Sequence, residues 1–251
     1  MITLYDMGPS QYPADLGTSP HTRKIIFTLN YKNIPFELKV IRPEDIEAIS
    51  KSLGVAHSSV LSDGTPRYTI PFIIDSTKEK AVSDSLRIAE YLDEAYPDTP
   101  RVFPEGTRVL QSVFVNAVQA RIGLLYPLVF RQFETLSPGL LDSRKKAYGG
   151  GPDSPYPNIP DLTEAQKKEM WAGVKTSFTE LEAAYGGAQK DQLWVMGDKP
   201  VFADFVLAVF FVTLKIAYGE QSQEWKDTSG LMGGRIGKLS EEVLKYRSPV
   251  A

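Results

Sequence analysis

Three short stretches of this 251-residue chain gather groups able to hold or activate a small ligand. In LGTSPHTRK, Ser19 stands directly before Pro20. That pair reads as a helix start, with the hydroxyl capping the first turn and proline at a position whose N–H would be unpaired anyway. Capping alone accounts for it, at about 1 kcal/mol. The same spot also favours an anion, because unpaired N–H groups and the positive end of the helix dipole converge there. In TIPFIID, Pro71 precedes an apolar run that reads as a strand. Proline cannot donate to a ladder, so the strand starts at Phe72 and Ile70-Pro71 forms a corner. The simple reading is a turn before an edge strand. A cis bond would instead present the Ile70 backbone to a ligand as an added strand would. In VSDSLRIAEYL, Ser83, Asp84 and Ser85 crowd one helix start where a single cap would suffice. That surplus suits an amino-acid head group, with Asp84 for its ammonium and Ser85 plus the helix N-terminus for its carboxylate.

Composition narrows the remaining chemistry. The chain has no cysteine and two histidines, His21 and His57. Disulfides, thiolate metal sites and cysteine nucleophiles are excluded, and no metal is expected. A net charge of −3 gives no general attraction to nucleic acid or an anionic membrane, so neither is expected as a partner. The basic run SRKKAY reads as a solvated helix end. MITLYDMGPS lacks the basic start and long apolar core of a signal peptide. VFADFVLAVFFVTLKIAYG carries Asp204 and Lys215 and is short for a membrane span, so it reads as a buried helix. The expected location is the cytoplasm.

The elements that must position these groups fall into two halves. Residues 1–98 alternate strand and helix patterns: ITLYD, then SPHTRKIIFTLNYK, FELKVI, PEDIEAISKSL, FIID, KAVSD and SLRIAEYLDEAYP. The order is too short for a doubly wound nucleotide domain, and no glycine fingerprint follows the first strand. GVAHSSVLSDGTPR reads as a polar loop. From about Arg108 onward, residues 108–251 show long helical patterns at Leu110–Thr135, Thr163–Tyr185, Ala203–Tyr218 and Ile236–Tyr246. Thr163 is the expected N-cap of the second of these.

The order of the motifs carries a resemblance. A strand, a loop, Ser-Pro and a helix, then TIPFIID, then VSDSLRIAEYL, all before an all-helical half, resembles the glutathione transferase family over nearly the whole chain. GDKPVFADFVLAVF resembles that family's helical-domain motif. The N-terminal third looks most like the branch related to bacterial β-etherases, which includes fungal members. The implied fold is α+β: a thioredoxin-like, glutathione-binding domain over residues 1–98, then an all-α domain over 108–251 contributing a second-substrate pocket.

The resemblance implies a homodimeric enzyme using glutathione as co-substrate against hydrophobic, aromatic electrophiles or aryl ethers. Ser19 would face the glutathione sulfur; because the preceding loop is long, Thr18 is the alternative. Ile70, before Pro71, would pair with the cysteinyl backbone, and Asp84 with Ser85 would hold the γ-glutamyl group. The glycyl carboxylate would fall to Arg42 or to the loop His57–Ser59. Leu124, Leu125, Tyr126, Phe130 and Phe133 would line the pocket for aromatic compounds; helical core packing explains any one of them equally well. Two departures from the family pattern stand out. Tyr5 lies within the first strand rather than at a helix start, and Val201 occupies the place of the usual serine or threonine three residues before Asp204. A binding protein on the same fold, carrying aromatic ligands with little turnover, is the rival expectation.

Overall fold

The computed structural model describes residues 1–8, 15–129, 132, 137–148, 162–185 and 192–248. The chain divides into two compact units. The first comprises Met1–Pro100 with Phe133–Ile159 and Tyr246–Ala251; the second comprises Arg101–Gln132 with Pro160–Lys245. The division is therefore not a single cut between the halves read from the sequence.

The first unit is built on a four-stranded sheet in the order β2-β1-β5-β6. β1 (Ile2–Met7) runs parallel to β2 (Phe36–Ile41) and antiparallel to β5 (Phe72–Asp75), which pairs antiparallel with β6 (Lys80–Ser83). α1 (Pro20–Tyr31) links the parallel pair, and α2 (Ile46–Ser52) follows a 3₁₀ turn at Pro43–Asp45. α3 (Ser85–Ala95) packs against α1. This is the thioredoxin-like arrangement. The register puts Tyr5 opposite Phe72, where the two rings stack with centroids 4.3 Å apart in the core. Tyr5 is thus a packing residue of the central strand.

The segment read as a polar loop contains a small hairpin. β3 (Ser59–Val60) pairs with β4 (Pro66–Arg67) across a turn holding Asp63 and Gly64, the latter at φ +86°. Two-residue strands rich in serine and proline offer no alternating pattern, so periodicity could not reveal them.

A second difference concerns SRKKAY. The helix α5 (Leu140–Tyr148) packs on the Pro43–Asp45 turn, and Ser143 donates to Glu44 at 2.7 Å. Lys145 and Lys146 are exposed, as a solvated end requires, but Arg144 is buried. Its guanidinium Nε donates to Met7 Sδ at 3.2 Å.

In the second unit α7 (Phe202–Tyr218) is the central helix, with every residue from Phe202 to Leu214 buried. α4 (Arg108–Ile122) and α9 (Arg235–Leu244) pack against it. α6 (Glu164–Ala184) starts at Thr163, whose hydroxyl accepts from the Gln166 N–H while Gln166 returns the bond to the Thr163 N–H at 2.9 Å. That reciprocal cap satisfies two otherwise orphaned donors. α8 (Gln223–Ser229) completes the described helices of this unit. Arg108–Val129 is long and apolar enough, by length and composition, to cross a membrane. Its Val115, Val118 and Ile122 are buried, while Val109, Leu110 and Val113 are exposed.

Candidate functional site

The site starts from a carboxylate the motif analysis did not single out. Asp6, at the end of β1, is fully buried and gathers the approach to α1. Its two oxygens accept from the Thr18 N–H, the Ser19 N–H at 3.3 Å and the Thr22 hydroxyl at 2.8 Å. Burial pushes its pKa up, and the bonds from Thr22, Thr18, Met7 and Ser19 oppose that rise. Gly17 has φ +66°, and a Cβ there would sit 2.7 Å from Asp6 Oδ2. Only glycine fits so close to the carboxylate in that backbone conformation. Arg23 ties the same loop from the other side, donating to the carbonyls of Leu16 at 3.1 Å and Gly17 at 3.0 Å. The sequence signal for Asp6 was an acidic residue ending an apolar strand. Nothing local distinguished it from a surface aspartate.

These bonds place Ser19 at the N-cap of α1, with extended backbone and its Oγ accepting from the His21 N–H at 3.2 Å. The lone pair caps the helix, which leaves the O–H to donate elsewhere. Asp84 is the N-cap of α3 at φ +76°. Its Oδ1 accepts from both the Leu86 and Arg87 N–H groups, at 3.0 and 3.2 Å, so the second carboxylate oxygen is not used in capping. Ile70-Pro71 is cis and stands immediately before β5, outside its ladder.

Ser19, Ile70, Pro71, Asp84 and Ser85 all line one cavity of about 230 Å³. Residues 51 or more positions apart in sequence are thereby brought to one wall. Thr18 is buried with its N–H on Asp6 and does not line that cavity. Arg42 is not there either: it is exposed and donates to Asp45 at 2.9 Å. The loop alternative fares differently, because Ser58 and Ser59 do reach the wall. So does Arg67 of β4, which lay in the unread hairpin and was missed. Ser58 steadies that stretch by donating to the Arg67 carbonyl at 3.0 Å and bonding Thr69 at 2.7 Å.

Cationic groups collect beneath the same wall. His21 and Met7 line the cavity. The fully buried Lys24 places its Nζ 3.1 Å from His21 Nδ1, and Arg144 reaches Met7 from α5. Burial lowers the Lys24 pKa to about 8 against the pull of Asp84. Burial, aided by Lys24 and Arg144, holds the His21 pKa well below the usual imidazole range. The imidazole is neutral near pH 7 and the ammonium mostly charged.

The five apolar residues expected to line a second pocket are not equivalent. Leu125 is buried, Leu124 is exposed, and the Tyr126 ring lies 5.4 Å from that of Phe210. Phe130 and Phe133 lie outside the described residues. Among the described residues no group of three or more metal-ligating side chains forms.

Residues 15–100 match the glutathione S-transferase N-terminal domain, and residues 109–246 the glutathione S-transferase C-terminal domain. A glutathione S-transferase-like protein of Aspergillus flavus is 29% identical over 238 residues, spanning 88% of this chain and 82% of its own length. A glutathione transferase of Phanerochaete chrysosporium has a crystal structure that superposes with a TM-score of 0.82 at 30% identity, covering 98% of this chain and 96% of that one. A glutathione S-transferase of Ceriporiopsis subvermispora, solved in complex with glutathione, is also 30% identical, with a TM-score of 0.83 over 98% and 97% of the two chains.

Proposed function

Because the chain belongs to the glutathione S-transferase family, we propose that it is a serine-type glutathione transferase in which Ser19 activates the glutathione thiol. The observation that carries this reading is the shared cavity, where the α1 cap faces the same space as Ile70, Asp84 and Ser85. Glutathione lies with its cysteinyl backbone on Ile70 and its γ-glutamyl group on Asp84 and Ser85. The free oxygen of Asp84 takes the ammonium. Arg67 and the adjoining Ser58 and Ser59 receive the glycyl carboxylate, in place of Arg42.

A free thiol has a pKa near 8.5, so only a few per cent ionises at pH 7. Lowering it by about two units requires about 2.7 kcal/mol of preference for the thiolate. The Ser19 O–H and the N-terminus of α1 are together of that size. The thiolate then attacks hydrophobic aromatic electrophiles or aryl ethers, as in the etherase-related branch that the N-terminal motifs resemble. The exposed Val109, Leu110 and Val113 on α4 supply the apolar face of a homodimer. The enzyme works in the cytoplasm, where thiols are kept reduced.

Calorimetric titration with glutathione, followed by turnover of a panel of phenolic ethers and isothiocyanates, tests this. Micromolar to millimolar glutathione binding with turnover is expected. Tight binding of aromatics without turnover would make the protein a carrier instead.

A further inference from the structure

The thiol chemistry above leaves a pair of buried, titratable groups on the cavity wall without a task. His21 stands two residues after Ser19 on the first turn of α1, so its ring faces the sulfur end of the cavity. Behind it, Lys24 is one helical turn further on, wholly buried, with its ammonium 3.1 Å from Nδ1. An ammonium has only donors, so Nδ1 must be the acceptor and the ring proton sits on Nε2. The ring is thus fixed as an N–H donor, with a second proton waiting on its far side.

We propose that His21 is the general acid of this site, passing a proton from Lys24 to the oxygen that leaves when glutathione cleaves an aryl ether. This rests on the reading of the cavity as a glutathione site. The glutathione sulfur forms a bond to the substrate carbon as the carbon–oxygen bond breaks. The bonding pair goes to the aryloxide oxygen, which takes the Nε2 proton of His21. Nδ1 takes a proton from Lys24, and the resulting amine is recharged from water. The products are a thioether and a phenol. His21 contacts the leaving group; Lys24 is a positioning residue that acts through it.

The acidity fits the task. A phenol ionises near pH 10 and the Lys24 ammonium near 8, so transfer through the ring runs downhill to the aryloxide. The charged groups whose fields reach the pair are Asp84, which holds the proton on Lys24, and Arg144, which keeps His21 neutral. Neither fact is required by helix stability, since a lysine buried among apolar neighbours is costly unless it is used or paired. An aryl chloride needs no such help, because chloride leaves without a proton.

The test compares aryl ethers of graded phenol pKa with an aryl chloride, using wild type, His21→Phe, His21→Gln and Lys24→Met. In His21→Phe, turnover of the least acidic ether should fall about 100-fold, the effect of losing a general acid. The dependence of rate on phenol pKa should steepen, while chloride turnover holds within about threefold. His21→Gln, which keeps an N–H donor but cannot relay, should recover only part of the ether rate. Lys24→Met should abolish the decline in ether turnover above pH about 8. Equal losses on ether and chloride, or an unchanged dependence on phenol pKa, would overturn the proposal. Wild type that neither binds glutathione by calorimetry nor turns over the chloride would overturn the glutathione-site reading itself. The two failures are therefore separable.

Discussion

The starts of α1 and α7 solve one problem in opposite ways. Each helix begins with backbone N–H groups that need acceptors, and each has a buried aspartate nearby. At α7 the carboxylate does the capping itself. Asp204 accepts from the Val201 N–H and the Val195 N–H, both at 2.8 Å, and the start is closed within the helical core. At α1 the carboxylate is set back. Asp6 holds the loop, and the capping position passes to the Ser19 hydroxyl, which opens onto a cavity. One start is sealed for stability and the other is left available for a ligand. Whether a helix terminus folds or binds is thus decided by which group is given the last position.

The largest effect should come from breaking the sealed start. Asp204→Ala strands two N–H groups in a site without water, and each costs about 1–3 kcal/mol. We expect a loss of about 3 kcal/mol in chemical denaturation, with glutathione affinity unchanged in the protein that remains folded. Burial also raises the Asp204 pKa to about 7. A raised folded pKa means that the protonated form is favoured by folding. The associated stability is full below the unfolded value of 3.8 and is lost as pH rises through about 7. The stability advantage of wild type over Asp204→Asn should therefore grow as pH falls from 8 to 5. A gap that shrinks instead would show that the carboxylate folds in its charged state.

The open start should respond in the other currency. Ser19→Ala removes one charge-assisted hydrogen bond of about 1.5–3 kcal/mol and should raise the pKa of bound thiol by roughly one to two units. Thiolate absorbance against pH reads this directly. Stability should fall by only about 1 kcal/mol, the usual value of a cap. Thr18→Ala is the control and should leave the thiol unmoved, because Thr18 meets Asp6 through its backbone. Should the two variants exchange effects, Thr18 would be the activating hydroxyl and α1 would not be the open start.

Much of this contrast was legible in the sequence. Ser-Pro announced the α1 cap, and the surplus of polar groups at Ser83, Asp84 and Ser85 announced the second wall of the cavity. The missing hydroxyl at Val201 announced that α7 would begin differently. What stayed hidden were residues whose neighbours are distant in sequence. Asp6 meets Ser19 and Thr22 across a loop, Arg144 meets Met7 across 137 positions, and Arg67 sits in a hairpin too short to have a period. Local pattern reveals caps because a cap is made within four residues. It cannot reveal a partner supplied by topology.

The arginine pair gives a smaller effect that sharpens the same contrast. Arg67→Ala should weaken glutathione about tenfold by calorimetry, since it removes a cation from the cavity wall and leaves the ends of α1 and α3 intact.

Arg42 should give the smallest effect, and the reason is again its place at a helix start. It precedes the 3₁₀ turn Pro43–Asp45 as that turn's N-cap residue, yet its side chain makes no capping bond. Its guanidinium reaches Asp45 at 2.9 Å with 65% of the arginine side chain exposed. Water and salt screen such a pair, and the flexible side chain loses entropy when held, so the two contributions nearly cancel. The turn itself depends on Pro43, which is buried, and on the Asp45 N–H bonded to the Arg42 carbonyl at 3.0 Å. Alanine keeps that carbonyl. Arg42→Ala should therefore leave the melting temperature and the glutathione affinity within measurement error, at low salt and at high. A clear loss of affinity, greater at low salt, would mean that the charge attracts the ligand from outside the cavity. This third helix start would then belong with α1 rather than apart from both.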